Sequence, residues 1–132
     1  MAPTVPTADP APLTVSAGSL EYARSLGGTS HEHESLYLIV GASVRTEKHA
    51  QVILKKALPL FGDMQSYFIV QRSDNFVGMN PGWWVVIEAY RKRPSRENMD
   101  FARRGFPDAY VRRAVVGVSA PIPVYEDILG GF

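Results

Sequence analysis

The chain has 132 residues, none of them cysteine, and a formal net charge of +1. That length is about one domain, large enough to bury a core without a metal or disulfide staple. The lack of cysteine excludes thiol catalysis, thiolate metal sites and disulfides, and no apolar run approaches the ~18 residues of a membrane span.

Charge is unevenly spread. Residues 1–35 carry four acidic residues against Arg24, a net of −3, while residues 91–113 carry eight basic residues against three acidic ones, a net of +5. The basic segment reads either as an anion-attracting patch or, more plainly, as a solvated helix and loop face.

Residues 1–35 form a Pro/Ala/Thr-rich linker and N-terminal extension. Residues 1–17 cannot bury enough apolar area to offset their ordering entropy, so the sequence predicts an extended or disordered linker. MAPTVPTADPAPLT has neither the basic stretch nor the apolar core of a secretory signal. Ser19–Gly28 suits a short helix, with Ser19 as N-cap and Gly27 just past its end. A loop follows.

The main domain is expected over 36–117. LYLIVGAS, from Leu36, is a β-branched and aromatic strand. Thr46 caps a helix whose Ala50, Ile53, Leu54, Ala57 and Phe61 fall at helical spacing, with Pro59 distorting the last turn and Gly62 closing it. SYFIVQRS is a second strand. Asn80-Pro81-Gly82-Trp83 is a strong turn signal, because proline presets φ and glycine tolerates positive φ. WWVVIEAYRK is a third strand, SRENMDFARRGF a short helix capped by Ser95, and AYVRRAVVGV a fourth strand. Residues 118–132 form a C-terminal extension.

The order is β-α-β-β-α-β. The expected fold is therefore α+β and ferredoxin-like, a four-stranded antiparallel sheet with two helices on one face. Alternation on the third strand separates Trp83, Val85, Ile87 and Ala89 from Trp84, Val86, Glu88 and Tyr90. The row without a charge is assigned to the helices and the row with Glu88 to an open face. Leu38, Val40 and Ala42 then lie under the helices, with Tyr37, Ile39 and Gly41 opposite. On the fourth strand Val111 and Val115 are the core positions, leaving Tyr110 and Arg112 open and Arg113 reaching the rim. Tyr37, Trp84, Tyr90 and Tyr110 would gather on the uncovered side, a surface suited to stacking on sugars or bases. The alternative is that a chain end covers this face as a second small core.

LYLIVGASVRTEKHAQVILKKA resembles the first strand and helix of a SPOR (sporulation-related repeat) domain. GWWVVIEAYRKRPSRENMDFARRGFPDAYVRR resembles its second half, and SDNFVGMNPGWWVV is similar to a segment of SPOR-like envelope proteins. The resemblance covers roughly residues 36–116. It implies a noncatalytic module of the periplasm or cell envelope that binds peptidoglycan glycan strands through the open sheet face. On that reading Trp84 and Tyr90 stack on the ligand, and Tyr37, Glu88 and Arg112 hydrogen-bond, with Gln71 a further candidate.

Other chemistries are weaker. His31-Glu32-His33-Glu34 is the one metal-like cluster, but two imidazoles make a weak site, and a loop or surface contact is the plainer reading. No metal or cofactor is expected. No G-x-S-x-G, H-E-x-x-H or P-loop string occurs, and Glu88 or Asp74 as a general base has no evident acid/base partner, so an enzyme is not expected. An aromatic open sheet is also how RNA-recognition folds stack bases, but their K/R-G-F/Y-G/A-F-V-x-F/Y string is missing, so nucleic acid is not expected. The main alternative is an assembly protein that uses the sheet face or edge strands for homo-oligomer formation or docking to an envelope partner.

Overall fold

The computed structural model describes residues 18–129. The predicted linker over 1–17 and the last three residues of the C-terminal extension lie outside them.

Local signals set the helices. Helix α1 (Leu20–Ser25) is capped by the Ser19 hydroxyl, which accepts from the Tyr22 amide at 3.0 Å. It ends at Gly27 with φ +93°, where the amides of Gly27 and Gly28 donate to the carbonyls of Arg24 and Ala23. That is a Schellman closure, and only glycine adopts its left-handed residue without strain. Helix α2 (Glu47–Ala57) starts on Thr46 and tightens over Leu58–Phe61, where Pro59 stands at the start of a 3-10 turn. Helix α3 (Arg96–Gly105) has a capping box: Ser95 accepts from the Asn98 amide, and the Asn98 side chain accepts from the Ser95 amide. A fourth, short helix α4 spans Tyr125–Ile128.

The strands are β1 (Thr29–Ser30), β2 (Ser35–Val44), β3 (Ile69–Arg72), β4 (Phe76–Val77), β5 (Trp84–Tyr90), β6 (Tyr110–Val116) and β7 (Pro121–Ile122). They make two antiparallel sheets, β1-β7 and the five-stranded β3-β5-β2-β6-β4. The fold is α+β, as expected, but the main sheet has five strands instead of four. The added strand is β4, which follows β3 after the turn Ser73–Asn75 yet sits at the opposite margin. The sheet must curl to let so short a turn join its two edges.

The two faces are the reverse of the assignment made from alternation. Helices α2 and α3 cover the row containing Ile39, Val70, Val86 and Tyr90, which packs with Ala50, Leu54 and Ala102. Val85, Ile87 and Ala89 lie on the other face with Leu38 and Val40. The cause is that β5 is buried from Val85 to Tyr90, so both rows are core and alternation cannot rank them. Small helix residues at positions 50, 57 and 102 leave room for Phe61, Phe68 and Phe106 against the sheet. Glu88 is tolerated there because it is hydrogen-bonded. A bulge at Gly41 moves Ala42 onto the helix side as well.

The second face is not bare. Ala23 of α1, Ile122 of β7 and Val124 pack on it, together with Phe76. The described parts of both extensions are thus built into the domain, and they form the second small core that the sequence allowed. The ends are held by ion pairs: the Arg91 guanidinium meets Asp127 at 2.8 Å and Glu34 at 3.0 Å, and the Glu126 carboxylate accepts from the amides of Arg91 and Lys92.

Candidate functional site

What the chain ends leave uncovered on the second face is a cavity of about 310 Å³. Its walls come from β2, the starts of β5 and β6 and the segment after β4. The Asn80-Pro81-Gly82 turn delivers Trp83. Asp74 accepts from the Gly82 amide at 2.8 Å, and Ser73 and Trp83 bond to each other through the Ser73 hydroxyl and both backbones. The Gly82 amide and the Arg72 guanidinium hold the Asp74 carboxyl below its usual range. The Arg45 guanidinium stacks on the Trp83 indole, 3.7 Å from the ring centre.

From β6 come Tyr110 and Arg112. The Tyr110 side chain is half exposed. Arg112 donates from Nη2 to the Gly78 carbonyl at 2.8 Å, which fixes its plane. Its Nε is buried and makes no hydrogen bond among the described residues. Met79, Ser43 and Asn80 complete the rim. The arrangement offers two aromatic rings, a guanidinium with a spare donor and small polar groups, which is the chemistry of a neutral or anionic polar ligand with an apolar face.

Of the six residues singled out from the sequence, Arg112 alone lines this cavity. Gln71 is on the same face but buried: its amide oxygen accepts from Asn75 at 2.6 Å and its nitrogen approaches the Pro121 carbonyl at 3.4 Å. The other four are on the helix side, contrary to expectation. Trp84 is partly buried there, with the Arg72 guanidinium 5.4 Å from its ring. Tyr37 lies beneath Arg113, which is 4.9 Å from its ring and also bonds the Ser35 hydroxyl. Glu88 and Tyr90 are brought together, with the Tyr90 hydroxyl 2.6 Å from the carboxylate, in a separate cavity of about 590 Å³ beside α3 and α4.

No family model matches this chain. No curated protein and no solved structure matches it either.

The remaining sequence candidates are spoken for within the molecule. His31 is buried, between the Thr29 hydroxyl at 3.2 Å and the Glu34 carboxylate at 3.3 Å, while His33 is exposed, so the two imidazoles do not converge. The basic segment is mostly exposed, as the plainer reading had it, and part of it is engaged within the molecule: Arg91 clamps the chain ends, and Arg103 donates twice to the Ala109 carbonyl. Trp83, expected under the helices, lies on the opposite face, partly buried against the core there. The signal for it was the turn itself, which sets the indole at the mouth of the sheet, where strand alternation has barely begun.

Proposed function

We propose that this chain is a noncatalytic binding module of the cell envelope, and that it holds a peptidoglycan glycan strand in the cavity between Trp83, Tyr110 and Arg112. On this reading β2, α2, β3, β5, α3 and β6 are a ferredoxin-like, SPOR-like unit. Its support is the strand order β3-β5-β2-β6 and the two helices packed on one face, to which β4 and the chain ends are additions. The ligand face is the one away from α2 and α3, as the resemblance implies, but the residues on it differ from those first expected.

The observation that carries the proposal is Arg112. A buried donor without a partner is costly, and the guanidinium that carries this one lines a cavity also walled by an indole and a phenol. Sugar C–H faces stack on such rings, while acetamido and hydroxyl oxygens accept from the Arg112 guanidinium and from Ser43 and Asn80. The cavity volume is at the lower end of the ~300–1,000 Å³ of small-ligand sites, so a short stretch of the strand would seat there.

Retention of the full chain on isolated sacculi, before and after amidase removal of stem peptides, tests this. Retention that rises after amidase, and falls at least tenfold in Tyr110→Ala, is the expected result. No retention on either material overturns it. Self-association is the second reading, favoured by Val77 and Val115, a cross-strand pair at the β4 margin whose side chains are both exposed. A dimer in sedimentation without sacculus binding would select it.

A further inference from the structure

The cavity on the helix side has a different chemistry. At its floor is the Glu88 carboxylate, on a residue only 2% exposed. It accepts from the Tyr90 hydroxyl at 2.6 Å and from the Tyr67 amide at 3.1 Å. A carboxylate has about four acceptor positions, so roughly half remain open. Carboxylates at this depth are ordinarily paired with a cation. Glu88 forms no ion pair among the described residues, and the nearby Arg104 guanidinium instead lies over the Phe101 ring, 5.5 Å from its centre.

The walls are aromatic. Tyr90 and Tyr125 are stacked with centres 4.7 Å apart, Tyr67 meets Tyr125 edge-on at 6.4 Å, and Phe101 closes the α3 side. Ring faces attract a cation, most strongly when it is desolvated. A bare metal ion suits the site poorly: hard cations need six or more oxygens, and no group of three metal-ligating side chains occurs among the described residues. An organic cation needs only the one carboxylate and the rings.

We propose that this cavity binds a primary alkylammonium group. Its N–H donors fill the open positions of Glu88, and its methylene chain runs along Tyr90, Tyr125 and Phe101. The site is separate from the Arg112 cavity and does not depend on the glycan reading.

The test is a titration of the full chain with n-butylammonium chloride, followed by the aromatic resonances of isotope-labelled tyrosine, with n-butanol as the neutral probe of equal length. Saturable shifts at Tyr67, Tyr90 and Tyr125 are expected, at least tenfold weaker for butanol and at least tenfold weaker in Glu88→Gln. Tyr125→Ala, at a half-buried position on α4, should weaken binding several-fold and serves if the Glu88 variant does not fold. Equal binding of the two probes, absence of saturable shifts at these rings, or unchanged affinity in Tyr125→Ala overturns the proposal.

Discussion

Tyr90 donates its phenolic hydrogen to Glu88, its neighbour two positions back on the same row of β5, across 2.6 Å. Each needs the other. The phenol would otherwise be a buried donor without a partner, and the carboxylate would keep only the Tyr67 amide. Burial pushes the Glu88 carboxyl up from its ordinary value, outweighing the lowering by Tyr90 and Tyr67. Burial and then the Glu88 charge push the Tyr90 phenol up too, so it remains a donor.

A pH dependence of stability follows. With its folded-state pKa above the unfolded value of ~4.3, Glu88 binds its proton more tightly in the native protein. Its contribution is complete below that unfolded value and is lost as pH rises through the folded one. Urea unfolding from pH 4 upward should show this decline, and Glu88→Gln should flatten it. The amide can keep both bonds by accepting from Tyr67 and donating to the Tyr90 oxygen. Glu34, whose carboxyl is lowered by His31 and Arg91, and Asp127, lowered by Arg91, act with the opposite sign. Their stabilisation is present above the unfolded carboxylate values and fades as pH falls, but both are largely exposed and contribute little. A Glu88→Gln curve that declines like the parent would refute the assignment.

The two adjacent tryptophans should separate stability from binding. Trp84 packs partly buried against the helix-side core. Full burial of such a ring is worth ~3–5 kcal/mol on truncation, so Trp84→Ala should lower the unfolding free energy by about 2 kcal/mol and leave sacculus retention per folded molecule unchanged. Tyr110→Ala, at a half-exposed position, should do the converse. Denaturant titration beside the retention assay reads both.

Gly41 marks a close contact between β2 and the residue that ends α3. A Cβ there would lie 2.6 Å from the Phe106 ring, and Phe106 is itself wedged against Phe68 with ring centres 4.7 Å apart. Gly41→Ala should therefore destabilise the protein by about 1–3 kcal/mol through overpacking, seen as a lower unfolding midpoint. Gly62→Ala is the control for backbone strain alone: its φ is +68°, but nothing lies within 4 Å of the added methyl.

Short-range signals in the sequence were legible because they are local. Ser19, Thr46 and Ser95 each cap the helix they were expected to cap, and Gly27 ends α1 through backbone geometry that no distant residue alters. The β-α-β-β-α-β succession of elements was legible from their alternation, but the fifth strand of the sheet was not. What failed was the choice of face. In β5 the row with Glu88 carries a charge, which normally marks solvent, but here Tyr67 and Tyr90 donate to it and the row is buried. Nor could DNFV announce a strand. Phe76 and Val77 favour extended backbone, but a strand of two residues is too short to show in the sequence, and β6 supplies its partners. The candidate site divided for the same reason. Glu88 and Tyr90 were rightly read as neighbours on one row, and Arg112 lines a cavity on the other face, but a pairing pattern shared by both faces assigned them to one place.

The turn from β3 to β4 has a bearing on how the chain is made. Phe76 is registered against Val116, and the Gly117 amide bonds to the Asn75 carbonyl at 2.7 Å. A nascent chain still held in the ribosome short of that point has no place to put the Phe76 ring. Strand β6 and the residue after it must emerge before β4 can join the sheet, so stalled or truncated products would present that ring to chaperones and proteases, while the longer chain hides it.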